Sequence, residues 1–332
     1  MKDFRLDVDP ANVDPDGLCD NNASSITQLL IDGALAAGED LNGLAAANSS
    51  ASATVTLDAA LVENGIYTDY TGTPRHIYIL DAGSDSQTGA TYTLIGTDAN
   101  YRIITETLTG PGSGLFVISA LRYHTITSIA IASPVSGSTI DVGVTGHFTS
   151  ADGLAHRLDI IDTSTQDQSD SVFTITGTDA DGKAQTEAVT GPGSGATVES
   201  TKYFLTVSNI TQAGGDASDT VDIGTVDEIA ARTIPLDWYA SEAAVAQLDI
   251  SGTISVDIQV TVQNPFQDDA APFDLDDQED YAWINDANFT AETADIINPL
   301  SMRGLKAMRI VTNSYTNTAE VQVYVSQPRG RR

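Results

Sequence analysis

Residues 105–114 read TETLTGPGSG and residues 186–195 read TEAVTGPGSG, one pattern met twice at a spacing of 81. Sliding residues 75–146 forward by that spacing sets Gly96-Thr97-Asp98-Ala99 on Gly177-Thr178-Asp179-Ala180 and Ile129 on Ile210, without a gap. Asp81, Asp141 and Gly143 likewise meet Asp162, Asp222 and Gly224. A period of this length is too long for a solenoid unit and fits a duplicated small domain. Within each copy, β-branched segments flank Gly-Pro-Gly-Ser-Gly, which reads as two strands joined by a turn. The turn residues are Gly110, Pro111 and Gly112 in the first copy and Gly191, Pro192 and Gly193 in the second. Proline fixes φ, and the glycine after it is expected to supply the positive φ of a type II turn. A phosphate-binding loop is excluded, because no Lys-Ser or Lys-Thr closes the glycine run and no helix pattern follows.

Outward from the turns the signals remain β. ATVTLDAAL, HIYIL, TYTLIG, RIITETL, LFVIS and ITSIAIA are short, β-branched or aromatic, and separated by Gly, Asp, Ser and Asn. Strands recurring about every 10 residues imply sandwiches or barrels. Further on, Ile254, Val256, Ile258, Val260 and Val262 alternate with polar residues, as a half-buried strand does. The expected fold is mainly β, with three tandem sandwich-like domains. Residues 53–148 form the first copy, 149–229 the second and 230–328 a C-terminal β domain. Residues 26–52, rich in Gly and Ala, read as a connector with at most a short helix, since Gly33, Gly38 and Gly43 interrupt it. Residues 1–25 read as an extended arm and 329–332 as a basic tail.

The formal charge of -31, with only 15 Lys and Arg in 332 residues, argues against contact with nucleic-acid phosphates. Cys19 stands alone, so no intrachain disulfide or cysteine-based zinc site is available. The N-terminal residues lack the apolar run of a signal peptide, and no stretch approaches the roughly 20 apolar residues of a membrane span. The chain is therefore expected to be made in a cytoplasm and used without secretion or membrane contact.

No catalytic constellation emerges. His76, His124, His147 and His156 are scattered, and no Gly-x-Ser-x-Gly elbow occurs. The acidic run QDDAAPFDLDDQED at 267–280 lacks the order of a calcium loop and reads as a solvated surface. Trp238-Tyr239 reads as packing at a domain junction. No cofactor and no metal site are expected. Arg303, Lys306, Arg309, Arg329, Arg331 and Arg332 crowd into the last 30 positions of an acidic chain. Neither the arm nor the tail has an apolar period with which to fold alone. Both are expected to be ordered by neighbouring chains, with Arg329, Arg331 and Arg332 as assembly contacts on an acidic patch.

The string FTITGTDADGKAQTEAVTGPGSGATVESTKYFLTVSNIT, residues 173–211, resembles a module recurrent in the β-rich structural proteins of tailed-bacteriophage virions. TVTLDAALVENG (54–65) is similar to that module's lead-in strand. SGTISVDIQVTVQNPF and MRGLKAMRIVTNSYTNTAEVQVYVSQ are similar to its C-terminal partner domain. The present chain differs in carrying the central module twice. The resemblance implies a non-enzymatic virion structural protein, foremost a capsid decoration or cement protein. Its partners would be the major capsid protein, other virion proteins and further copies of itself, a trimer included. A tail or head-to-tail component is the alternative within the particle. A carbohydrate-binding adhesin, which needs an exposed aromatic platform, is the alternative of another class.

Overall fold

The computed structural model describes residues 2–23, 29–37, 40–70, 74–164, 167–214, 220–237, 242–263 and 282–327. The chain is mainly β; among the described residues the helical element is a 3-10 turn at Pro10–Asn12. The strands begin with β1 (Lys2–Val8), β2 (Cys19–Ala23), β3 (Ala36–Ala37) and β4 (Asp40–Ser49). The first module supplies β5 (Val62–Glu63), β6 (Ile66–Thr68), β7 (Arg75–Asp81), β8 (Thr91–Thr97), β9 (Ile103–Thr109), β10 (Phe116–Tyr123), β11 (Thr125–Ala132) and β12 (Thr139–Val144). The second supplies β13 (His147–Thr149), β14 (Ala155–Asp162), β15 (Val172–Thr178), β16 (Ala184–Thr190), β17 (Thr197–Glu199), β18 (Thr206–Ala213) and β19 (Thr220–Ala230). The remainder are β20 (Ile234–Pro235), β21 (Val245–Thr261), β22 (Ile284–Asn285), β23 (Ile296–Pro299) and β24 (Ala307–Ser326).

The duplication is visible in the strand bounds. Shifting β8, β9 and β11 by 81 residues gives the bounds of β15, β16 and β18. The match extends upstream to β6 and β13, where Asp69 N–H donates to His124 O at 2.8 Å and Ser150 N–H to Leu205 O at 2.9 Å. Repeated hydrophobic spacing thus yields repeated strands, because the same alternate positions need burial in both copies.

The chain divides into two compact units. Residues 36–147 with Leu30–Asp32 form one, a two-sheet sandwich with sheet orders β10-β7-β12-β4 and β5-β6-β11-β8-β9. Its core joins Leu44, Ile77, Ile79 and Val142 of the first sheet to Tyr92, Leu94, Ile126 and Ile129 of the second. The expectation of a connector at 26–52 is corrected here. β4 is a strand of the sandwich, paired with β12, and Leu44 and Ala45 are fully buried. Tertiary pairing overrides the helix preference of its Leu and Ala residues.

The other unit contains residues 1–29, 33–35 and 148–332. A large sheet in the order β17-β14-β19-β24-β21-β22 runs from the second module into the C-terminal strands, so these expected neighbours share one body. β1 pairs antiparallel with β24 from Lys2↔Val325 to Val8↔Ala319, and β2 pairs with β19. The expectation that residues 1–25 form an arm held only by neighbouring chains is therefore overturned. Leu6 and Val8 are buried in the core shared with Val256, Ile258, Val321 and Val323. The alternation Phe4-Arg5-Leu6-Asp7-Val8 is a short half-buried strand whose flanking Asp and Pro residues mask its period. In β21 the alternation at Ile254, Val256, Ile258 and Val260 points inward as expected, whereas Val262 lies past the strand end at Thr261 and is exposed. Asp257 on the intervening face is buried as well, accepting from Asn285 at 2.7 Å and Asn313 at 3.0 Å.

Candidate functional site

The twice-used turn is built alike in both copies. The carbonyls of Pro111 and Pro192 accept from the N–H groups of Gln87 (2.8 Å) and Gln168 (3.0 Å). A Cβ on Gly110 would lie 2.2 Å from Gln87 O, and one on Gly191 2.3 Å from Gln168 O, so both positions need glycine for close approach. The tight turn itself comes later. Leu115 N–H donates to Gly112 O at 3.0 Å and Ala196 N–H to Gly193 O at 2.9 Å. The positive φ therefore belongs to Gly114 (68°) and Gly195 (63°), and neither Gly112 nor Gly193 is left-handed. This corrects the type II assignment at Pro111-Gly112 and Pro192-Gly193. Valine at Gly114 or Gly195 is expected to lower stability by about 1 kcal/mol or more. Alanine at Gly193, 4.0 Å from its nearest foreign atom, should change it little, as urea melts would show.

The repeated polar residues hold backbone. Glu106 accepts from the consecutive N–H groups of Ala120 (2.6 Å) and Leu121 (3.0 Å), and Glu187 from Thr201 (2.7 Å) and Lys202 (3.0 Å). Ser119 Oγ accepts from Ile77 N–H at 2.7 Å, as Ser200 Oγ does from Leu158 N–H at 2.8 Å. Asp98 and Asp179 each cap a turn, accepting from the N–H groups two and four residues ahead. The Thr-Glu and Gly-Thr-Asp signatures thus close corners that a bare backbone would leave with unmet donors.

The histidines do not converge. His76 is buried with Nδ1 2.7 Å from Ser119 O, and its Nε2 accepts from Arg122 Nε at 3.3 Å. Burial, with the neighbouring Arg122 charge, lowers its pKa from 6.5 to about 4. In the other unit, His156 Nε2 lies 3.3 Å from Asp152 Oδ2 and Ser150 Oγ donates to the same carboxylate. The carboxylate sits between serine and imidazole, so the base does not address the hydroxyl and no nucleophile is activated. Burial would raise Asp152, but the bonds from His156, Ser150 and Leu154 N–H outweigh it and hold its pKa below the usual range. Among the described residues no group of three or more His, Cys, Asp or Glu is placed to hold a metal ion. No helix among them is long and apolar enough to cross a membrane.

Two buried groups, one in each unit, respond to acid in opposite directions. His76 stays neutral when folded until about pH 4, whereas the unfolded chain binds the proton below 6.5. Its contribution is complete above pH 6.5 and is lost as pH falls towards 4, amounting to about 3 kcal/mol. Asp159 is raised from 3.8 to about 6, chiefly by burial and then by the Glu199 and Asp222 charges. The folded state holds that proton more tightly, so its contribution is present below pH 3.8 and lost as pH rises through 6. Calorimetry from pH 7 to 4.5 should show His76→Phe flattening the acid loss. Asp159→Asn should raise the melting temperature at pH 7 and have little effect near pH 4.

Arg329, Arg331 and Arg332 lie outside the described residues, as do Trp238, Tyr239 and the acidic run 267–280. Of the C-terminal cations, Arg309 donates from Nε to Gln259 at 2.8 Å and lies over Trp283, 4.6 Å from the ring centre, and Tyr203, 5.3 Å away. That geometry packs a cation against aromatic faces within the fold.

A cavity of about 370 Å³ opens in the first sandwich between Leu61 and Val144. The buried pair Arg75 and Asp69, 3.5 Å apart, belongs to its lining, and Tyr70 stands at its edge, 78% exposed. Tyr70 Oη donates to Glu63 Oε2 at 3.0 Å. Sequence reasoning missed this site because Tyr70 lies in a loop outside any strand pattern. The available signal was the comparison of copies, which sets Tyr70 on Ala151 and Tyr101 on Gly182. No protein-family model and no curated protein matches the chain.

Proposed function

We propose that the chain is a non-enzymatic structural protein of a tailed-bacteriophage particle, of the capsid decoration or cement type. The observation that carries this reading is the role of the repeated motif residues. Glu106, Glu187, Ser119, Ser200, Asp98 and Asp179 all hold turns and corners, so duplication has multiplied a scaffold. The likeness of residues 173–211 to virion modules supports the same reading, as does a surface charge suited to neighbours other than nucleic acid. Many copies would bridge adjacent shell subunits, each contact weak and the sum large through symmetric repetition.

The test is quantitative mass spectrometry of gradient-purified particles from cells that produce the chain. Decoration requires the chain in the particle fraction at a copy number scaling with the shell subunit. A copy number scaling with the tail axis would move it to the tail, and absence from particles would overturn the reading.

A further inference from the structure

We propose that the end of the first sandwich bearing Tyr70 and Tyr101 is a binding site for a neutral saccharide. The tyrosines are 78% and 72% exposed, and the sheet places them at one end, since Thr125 of β11 pairs with both Thr68 and Thr97. Neither is repeated in the second copy. The second copy keeps the Asp98 turn with Gly182 in place of Tyr101, and the strand equivalent to β6 is followed by Ala151 in place of Tyr70. Tyr101 even opposes the fold locally. Its φ is 59°, in the left-handed region where Gly182 has 79°, and both turns close with the same bond, Asp98 N–H to Arg102 O and Asp179 N–H to Lys183 O, each 2.9 Å. An exposed aromatic kept in a conformation that glycine fills without strain points to use of the side chain.

Both rings are oriented before any ligand arrives. Glu63 fixes the Tyr70 hydroxyl, and Tyr101 stands edge-on to His124 with ring centres 4.8 Å apart. Preset aromatic faces suit the C–H face of a pyranose at low ordering cost. Exposed Ile103 adds apolar surface after Tyr101. The cavity beside Tyr70 falls within the roughly 300–1,000 Å³ range of small-molecule sites and combines apolar walls with polar floor groups. Its floor pair, Arg75 with Asp69, offers donors and acceptors of no net charge, and the chain's charge of -31 repels anions. Those features select an uncharged polyol over a sialylated or sulfated one.

The test applies the full chain to an array of neutral glycans built from hexoses, N-acetylhexosamines and deoxyhexoses, beside sialylated and sulfated ones. Binding to members of the neutral set is expected, with Tyr70→Ala and Tyr101→Gly each weakening it roughly tenfold, as loss of one stacking face does. Both variants should melt within a few degrees of the native chain, because both side chains are exposed and Gly182 serves the Tyr101 turn in the second copy. No neutral glycan bound, binding confined to anionic glycans, or unchanged binding in the double variant would each overturn the proposal. The array uses the isolated chain, so its outcome is independent of any place in a virion.

Discussion

A chain lacking residues 1–8 is expected to melt well below the intact protein and to self-associate. β1 contributes seven paired residues to β24 and buries Leu6 and Val8 at 1% exposure each. Full burial of such side chains stabilises by about 1.5–3 kcal/mol apiece. Leu6→Ala alone should cost about 2–5 kcal/mol, because a cavity remains among Val321, Val323 and their neighbours. Deletion would also leave the β24 edge with unpaired backbone groups, an invitation to pair with another chain. Chemical denaturation gives the first effect and size-exclusion chromatography the second. An unchanged midpoint and a monomeric peak after deletion would show that β1 is no part of the folded unit.

The second large effect is expected at two glycines related by the duplication. A Cβ on Gly143 would lie 2.0 Å from Asp40 O, and one on Gly224 1.9 Å from Asp14 O. In each copy an earlier stretch of chain therefore lies across the glycine of the last module strand. Near Gly224 that stretch is fastened by Thr225 N–H to Asp14 O (2.9 Å), Thr225 Oγ1 to Asn12 O (2.6 Å) and Leu18 N–H to Ile223 O (2.9 Å). Backbone oxygen cannot yield as a side chain can, so Gly143→Ala and Gly224→Ala should each cost about 3 kcal/mol or more. Gly224→Ala should also free the N-terminal segment, seen as new proteolytic cuts between residues 9 and 18. Resistance to protease with an unaltered midpoint would contradict the close approach.

These covering segments mark where sequence reasoning stopped. The module strands were legible because each copy repeats the other's spacing of β-branched residues, which needs no knowledge of distant chain. The segments over Gly143 and Gly224 begin near Asp40 and Asp14, so their offsets from the glycines differ and self-comparison cannot align them. Local composition points to a connector and an arm, whereas pairing with β12 and β19 decides the structure of each. The misplaced positive φ has a similar origin. In a type II turn centred on Pro111-Gly112, the closing bond runs to the Gly110 carbonyl. Here the loop at Gln87 engages the next carbonyl, Pro111 O, and the turn forms two residues later. At the tyrosine end, Tyr70 and Tyr101 were visible only as exceptions to the duplication, a signal that a search for shared motifs discards.

The pairing of β1 with β24 also sets a clock on biosynthesis. Leu6 and Val8 leave the ribosome about 300 residues ahead of their partners, a delay of roughly 15–60 s at ordinary elongation rates. Within that interval the first sandwich gains the last of its own strands at Val144, while the other unit still waits for its seam. A ribosome that stops short of residue 319 releases a product with an open seam and a stranded apolar strand, the kind of surface chaperones and proteases recognise. Closure of the seam thus waits on synthesis of the strand that ends at Ser326.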